Sequence, residues 1–364
     1  QEPVPLRNNE GSNREEHIDG RLYPNGWDLA TYDASSWAPV YVIGPHPIAP
    51  WTQLVSQSTR IVENPVHPVS VKRVLGNEYV ADFGTVIAGR PNVVFHNGAT
   101  GRSIDIRAGF LLDPNGEVST TRGTQATDMS YQYTERTGAQ FFRSYGYLGF
   151  RYLEIDNPGE VLSPSEITIY ARHSAVPDQN ASSFSSSNGT LNSVWRVASH
   201  SAFYGSQDTF VDTPTREQTQ FLRDAFNTSS TTMRAFGERN LTQQALLDFA
   251  QSQARFWPDG RLNALYPTDL GALDIPDFTE VFPEWVWQYY LDTGDRQMLQ
   301  TMYPVITNIS NYVARYMQPQ TGLVANLAGG TPGSDEFGAV DANAATFDGY
   351  QFAYYNTTVN ELGV

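Results

Sequence analysis

Residues 212–224 read DTPTREQTQFLRD and gather three carboxylates, two guanidiniums and one ring around a proline turn. Carboxylates this close together can bind hydroxyl groups and pass protons. Pro214 disfavours helix at Thr213, Thr215 is a good N-cap, and Gln218 stands three residues later as its capping-box partner. The spacing therefore predicts a helix starting at Arg216. On it Glu217, Phe221 and Asp224 fall at i, i+4 and i+7, one stripe, with the two acids about 10 Å apart along the axis. A monosaccharide fits along that stripe, stacked on the ring and hydrogen-bonded at both ends, and Asp212 on the preceding turn can converge on it. The same residues also fit a purely structural purpose. A first-turn Glu complements the helix dipole, Asp before Pro is a common turn residue, and Arg216 and Arg223 can pair as surface salt bridges.

The elements around this stretch fall into two blocks. From about Val69 to Ala171 short alternating runs such as YVADFG, RSIDIRAGFLL, FRYLEID and EITIYAR are separated by turn signals, among them Asn97-Gly98 and Asn115-Gly116. That spacing predicts an antiparallel β-sandwich over residues 65–178. Residues 1–64 are too short and polar for a whole sandwich and are expected to form a partial β region and connector. After Pro177 a Ser-rich link enters helical periodicity, with helices expected near 190–208, 216–237, 240–254, 282–293, 296–317 and 349–362. Leu191, Val194, Trp195 and Ala198 share one helix face; Phe282, Trp285, Val286 and Tyr289 share another, with Pro283 expected in a first turn. Strands followed by helices mean separate β and α domains, and repeated helical hairpins over 179–364 suit part of an (α/α)6 barrel.

The chain has 364 residues, a formal net charge of -16 and an aromatic content of 13 %. Such a charge argues against nucleic acid or an anionic membrane as partner. Many rings in a lightly charged chain suit sugar handling, because ring faces stack on pyranose C–H faces. With no cysteine, disulfides and thiolate metal sites are excluded. Sequons at Asn180, Asn188, Asn227, Asn240, Asn308 and Asn356, in a chain without a long apolar run, favour a glycosylated, secreted protein. G-x-S-x-G, H-E-x-x-H, P-loop and dinucleotide fingerprints are missing, so neither cofactor nor metal is expected. The acidic loop GSDEFGAVDAN reads as solvated rather than cation-binding.

The stretch DTPTREQTQFLRD resembles the catalytic signature of the α-L-rhamnosidases of glycoside hydrolase family 78. The segments around it are similar in the same order. DFGTVIAGRPNVVFHNGATGRSIDIRAGFLLDPNGEV and SYGYLGFRYLEID resemble that family's preceding β-sandwich, and WVWQYYLDTGDRQMLQTMYPVITNISNYV resembles a barrel hairpin with its TGD turn. The resemblance implies hydrolysis of terminal α-L-rhamnosides with inversion. Glu217 would be the general acid, Asp212 and Asp224 would bind rhamnose hydroxyls, and Arg216 would orient the cluster. Where the family carries Trp-Thr-Gly before the last Asp, this chain has Phe221, Leu222 and Arg223, which keeps a ring but removes an N–H donor. A second family aromatic falls at Phe278, with Glu280, Asp277 and Glu284 as neighbouring cleft candidates.

Two other readings stay open: a catalytically silent carbohydrate-binding relative, and a hydrolase of the same fold acting on another sugar. Inversion also requires a second carboxylate as base, which the family carries late in its barrel. The resemblance therefore implies that a second polypeptide or fragment completes the barrel and supplies that base.

Overall fold

The computed structural model describes residues 16–49, 53–124, 127–268, 270–273, 275–322 and 324, with the backbone of 346–347 and 350–351. The chain divides into two compact units. One holds residues up to Ser58 together with Glu63–Ala171, the other Thr59–Val62 together with residues from Arg172 onward.

The first unit is built on nine strands: β1 (Glu16–Asp19), β2 (Ile61–Val66), β3 (Ser70–Arg73), β4 (Glu78–Gly98), β5 (Ser103–Gly109), β6 (Ser130–Thr134), β7 (Gly138–Arg143), β8 (Leu148–Asp156) and β9 (Ile167–Ser174). Alternation sets their faces. In β5, Ile104 and Ile106 are fully buried while the alternate residues Asp105 and Arg107 are not. Phe95, Phe142, Phe150, Leu153 and Ile155 complete a core from which water is excluded.

An antiparallel sandwich was expected, yet the hydrogen bonding runs through one curled, mixed sheet in the order β1-β6-β5-β8-β4-β9-β2, with β3 and β7 also on β4. The mixing comes from β1, which lies parallel to β6. Continuity comes from β4, which takes β3, β7, β8 and β9 as antiparallel partners along its length. Its register against β8 shifts between Asp82 and Ile87. There Gly84 adopts φ 80°, a left-handed conformation that suits a residue without Cβ, and its N–H donates to Asp82 Oδ1 at 2.7 Å. Arg151 grips the same carboxylate at 2.8 and 3.0 Å. The bend lets a single strand serve partners that a straight one could not reach.

The second unit contains α1 (Gly189–Gly205), α2 (Leu222–Phe236), α3 (Asn240–Phe256), α4 (Pro276–Thr293) and α5 (Arg296–Ala314). Their ends follow cap chemistry. Asn188 accepts from the N–H groups of Thr190 and Leu191, α2 and α4 stop at left-handed Gly237 and Gly294, and Asp295 of the TGD turn caps α5 through Met298 N at 2.9 Å. Phe282, Trp285, Val286 and Tyr289 are all buried, as their spacing required, and pack with Leu222, Leu246, Phe249 and Met302.

Three local expectations fail here. Pro283 lies inside α4 rather than in its first turn, because Pro276 opens the helix seven residues earlier. On α1, Leu191 and Val194 are exposed, and the helix buries Ala202 and Gly205 near its other end instead. The helix after the proline turn begins at Leu222, not Arg216. Of the helix expected near 349–362, only the backbone of Tyr350–Gln351 is described, and it forms a short strand antiparallel to Thr346–Phe347; the rest of that span and the loop GSDEFGAVDAN lie outside the described residues.

Trp285 is the largest fully buried side chain of the helical core. Trp285→Ala is expected to cost about 3–5 kcal/mol in equilibrium denaturation. A loss under ~1 kcal/mol would show that the core does not depend on this ring.

Candidate active site

The stretch from Asp212 to Phe221 is a closed loop. Asp212 fastens it in both directions, since its N–H donates to Thr219 O at 3.0 Å and its Oδ1 accepts from Thr219 N at 3.1 Å. Inside, Thr213 Oγ1 accepts from the N–H groups of Thr215 and Arg216 at 3.1 and 3.0 Å. These bonds hold Thr215 and Arg216 in a turn where helix was expected. Gln218 then takes φ 52°, an uncommon left-handed conformation for a side-chain-bearing residue, and its Nε2 donates to Pro214 O at 3.1 Å. Left-handed geometry at Gln218 excludes the capping box.

The far end of the loop is pinned to the segment after α3. Leu222 N donates to Ala264 O at 2.8 Å, and Tyr266 N donates to Gln220 O at 3.1 Å. Gln220, itself 2 % exposed, bonds Tyr266 O through Nε2 at 2.7 Å and accepts from Phe210 N at 3.2 Å. A loop tied at both ends presents its side chains from a fixed frame.

That frame brings Asp212, Glu217 and Asp224 within electrostatic reach of one another. Burial, and then the charge of Glu217, pushes Asp212 up to about 8; the N–H groups of Thr213 and Thr219 oppose this, and Asp224 adds to it. Asp224, in the first turn of α2, is raised by burial and next by Glu217, with its own backbone N–H and Arg223 acting the other way. Arg216 forms an ion pair with Glu217 Oε1, and both side chains are largely enclosed, 10 % and 16 % exposed. The second oxygen, Glu217 Oε2, is buried and meets no hydrogen-bond donor among the described residues. A buried carboxylate oxygen without a donor calls for a physical explanation, a catalytic role among them; Glu78 Oε2 and Glu135 Oε1 in the sheet unit share the feature.

The expected rings do meet, but differently from an open stripe. Phe221 is the N-cap residue of α2, 9 % exposed, and packs with Ala264, Leu265, Leu273 and Ile275. Phe278 on α4 packs against this cluster and meets Phe221 edge to face at 6.4 Å. Since Glu217 lies in the turn, Glu217, Phe221 and Asp224 cannot share a helical stripe, and Phe221 forms packed wall rather than a free stacking face. Glu280 is half-buried on α4 two residues beyond Phe278, and Glu284 is exposed there. The side chain of Asp277 lies outside the described residues.

Two polar residues escaped the sequence pattern. Gln220 holds the loop, and Asp248 on α3 receives Gln244 at 2.8 Å and is raised chiefly by burial. The one available signal for Asp248 was an acid beside the apolar positions Ala245 and Phe249. Of the sequons, Asn180, Asn188, Asn227, Asn240 and Asn308 are exposed residues, and Asn356 lies outside the described ones. Asn188 is engaged as a cap, and Asn308 Nδ2 donates to Gln253 Oε1 at 2.8 Å. Among the described residues no helix is long and apolar enough to cross a membrane, and no His, Asp or Glu group is arranged to hold a metal.

Residues 179–330, which carry this loop, match the bacterial α-L-rhamnosidase six-hairpin glycosidase domain. The second unit is thus a glycosidase domain of the helical-hairpin class. Residues 72–173 match the bacterial α-L-rhamnosidase concanavalin-like domain, and the chain belongs to the α-L-rhamnosidases of glycoside hydrolase family 78. It is 24 % identical over 307 residues to an α-L-rhamnosidase of Alteromonas sp. (strain LOR), a match covering 82 % of this chain and 32 % of that protein. Among solved structures it is similar to the GH78 rhamnosidase of Bacillus sp. GL1, with TM-score 0.61 and 24 % identity over 72 % of this chain and 27 % of that one. It is also similar to the Streptomyces avermitilis α-L-rhamnosidase complexed with L-rhamnose, with TM-score 0.70 and 20 % identity over 88 % of this chain and 31 % of that one. The chain spans about a third of the length of these relatives.

The buried acid at Asp212 yields a stability test. Its folded-state value of about 8 stands above the ordinary 3.8, so the folded state holds the extra proton between them and stability falls as pH rises through that window. Asp212→Asn removes the titration while keeping an acceptor for Thr219. It is expected to match the parent near pH 4 and to exceed it by at least ~1 kcal/mol above pH 8 in urea denaturation. A constant difference across the range would show that Asp212 ionises normally.

Proposed function

We propose that the protein carrying this chain hydrolyses terminal α-L-rhamnosides with inversion, and that Glu217 is its general acid. The observation that carries this reading is the enclosed Glu217 Oε2, which meets no donor among the described residues while Oε1 is held by Arg216. On this reading that oxygen is the one that delivers a proton to the glycosidic oxygen of a bound sugar. Arg216 fixes the direction of the carboxyl, and the closed loop fixes Arg216. Asp224 and Asp212 are assigned to sugar hydroxyls, from which an ionised carboxylate accepts and to which a protonated carboxyl also donates. Phe221 and Phe278, packed edge to face, are assigned to the apolar wall of the cleft.

Inversion needs a second carboxylate about 6.5–9.5 Å from the acid, on the opposite face of the sugar. Asp212 and Asp224 surround Glu217 on its own loop and helix start, so the base is assigned to a residue outside this cluster. The hairpin order α2 to α5 and the match to a six-hairpin domain support a toroidal (α/α)6 arrangement for the complete domain. The exposed sequons support a secreted, glycosylated protein.

Release of free rhamnose from an aryl α-L-rhamnoside tests the activity, and a protein that binds the sugar without releasing it would be a recognition module instead. The anomer formed first, followed by proton NMR, tests inversion. For the acid, Glu217→Gln is expected to slow alkyl rhamnosides by about 10²–10⁴-fold and activated aryl rhamnosides far less, because acid assistance matters most when the leaving oxygen is basic. Equal loss on both substrate types removes Glu217 from that role. Asp224→Asn is expected to weaken rhamnose binding by about 1.5–3 kcal/mol in calorimetry. Unchanged affinity would leave Asp224 a structural residue of α2.

A further inference from the structure

The first unit has a concave site of its own. A cavity of about 290 Å³ opens beside the residues that follow β1 and the β6–β7 hairpin. This is close to the lower end of the roughly 300–1,000 Å³ typical of small-molecule pockets. Its lining combines the rings of Tyr23, Trp27, Phe141 and Tyr145 with the guanidiniums of Arg90, Arg136 and Arg143. Trp27 Nε1 donates to Tyr23 Oη at 3.1 Å, and Tyr23 meets Phe141 edge to face at 6.4 Å. The rings are thereby fixed, yet Trp27, Phe141 and Tyr145 remain 49 %, 47 % and 56 % exposed. Core packing has not consumed these faces.

The cations are arranged in two ways. Arg90 is committed to Glu63 through a paired contact at 2.8 and 2.6 Å. Arg143 is held by neutral groups: Nε donates to Asn92 Oδ1 at 3.1 Å, Nη2 to Tyr170 Oη at 2.7 Å, and the guanidinium lies 4.1 Å from the Tyr170 ring centroid. The Arg136 guanidinium makes only a long bond to Ala139 O, at 3.4 Å. The backbone of Arg136 is nevertheless held on both sides by Gln140, whose Oε1 accepts from Arg136 N at 2.8 Å and whose Nε2 donates to Arg136 O at 2.7 Å. Gln140 is buried, and Tyr133 Oη also donates to it, at 3.0 Å. Two positioned guanidiniums thus face a ring-lined cavity without a carboxylate partner among the described residues. In a chain of net charge -16 such an arrangement runs against the surrounding field.

We propose that this cavity binds a uronate residue of an anionic glycan. Arg136 and Arg143 take the carboxylate, for which planar guanidiniums are well matched. Trp27 and Tyr145 take the C–H face of the ring, and Asn25 and Asp28 on the rim accept from hydroxyls. A neutral sugar would leave both guanidiniums unanswered, and a small inorganic anion would leave the ring faces unused. The lining shares no residue with the carboxylate loop of the helical unit, and the proposal does not rest on the activity assigned to that loop. Its role is to hold a polymer that presents acidic residues.

Calorimetry on the whole chain with tri-galacturonate tests this, alongside the carboxyl-reduced trisaccharide and free galacturonic acid. Binding of the tri-uronate is expected to fall at least about tenfold on carboxyl reduction and in Arg136→Gln, and to be unchanged in Glu217→Gln. Affinity that rises from the monomer to the trimer assigns the site to a polysaccharide; equal affinity assigns it to a small sugar acid and overturns the polymer role. Equal binding of the reduced trisaccharide, insensitivity to Arg136→Gln, loss in Glu217→Gln, or no binding of the tri-uronate overturns the site itself. Trp27→Ala, at an exposed position, provides a second variant with the same expected loss should Arg136→Gln fold poorly.

Discussion

The two-way fastening of Asp212 to Thr219 decides how the charged groups of the helical unit are arranged. It shortens the path between Asp212 and α2 into a closed loop, which keeps Glu217 off the helix and turns it toward Arg216. Without that closure the local sequence could extend α2 backward, and Glu217 would then lie a helical turn away along the axis. The fastening also uses Asp212 as an acceptor, so one side chain both builds the frame and stands in the carboxylate group that the frame creates.

Burying three carboxylates together carries an electrostatic cost that the surrounding groups offset only in part. The Thr213 and Thr219 N–H groups favour ionised Asp212, but burial and Glu217 outweigh them and leave its value near 8. Asp212 therefore keeps its proton to higher pH than an ordinary carboxyl, which lowers the repulsion on its neighbours. Arg216 supplies a positive charge to Glu217 and is itself enclosed, so this ion pair is poorly screened by solvent. Such a cluster is weak as a source of stability and informative about function, because a fold under selection for stability alone would replace it with apolar packing.

The sheet unit handles its buried charges differently. Glu154 and Glu135 are fully buried, but each has an arginine, Arg107 and Arg102, and each accepts a backbone N–H, from Val118 at 2.7 Å and Ala99 at 2.7 Å. These carboxylates tie loops to strands: both oxygens of Glu154 are engaged, and Glu135 is held through Oε2 alone. Glu135 Oε1 is nevertheless buried without a donor among the described residues, as Glu217 Oε2 is; what sets Glu217 apart is the company of Asp212 and Asp224, two carboxyls with raised values.

Much of the architecture was legible along the sequence because it depends on neighbours close in the chain. Alternating apolar residues placed β5, β8 and β9, the TGD turn placed the α4–α5 hairpin, and the period of Phe282, Trp285, Val286 and Tyr289 identified the buried face of α4. The identity of the clustered acids was legible too, since Asp212, Glu217 and Asp224 lie within one short stretch. Their geometry was not. Capping rules acting on Thr215 and Gln218 favoured a helix from Arg216, but the backbone of Gln220 and Leu222 pairs with Ala264 and Tyr266, more than forty residues away. That pairing holds Gln220 to Leu222 against the distant segment and delays the helix until Leu222, and no local preference can encode it. The single curled sheet was hidden for the same reason: it follows from β4 bending at Gly84 and sharing partners distant in sequence. The sequence by itself determined which residue types could do chemistry and which segments were strand or helix; long-range backbone pairing and burial, absent from any local pattern, decided where those residues stand and how strongly they hold their protons.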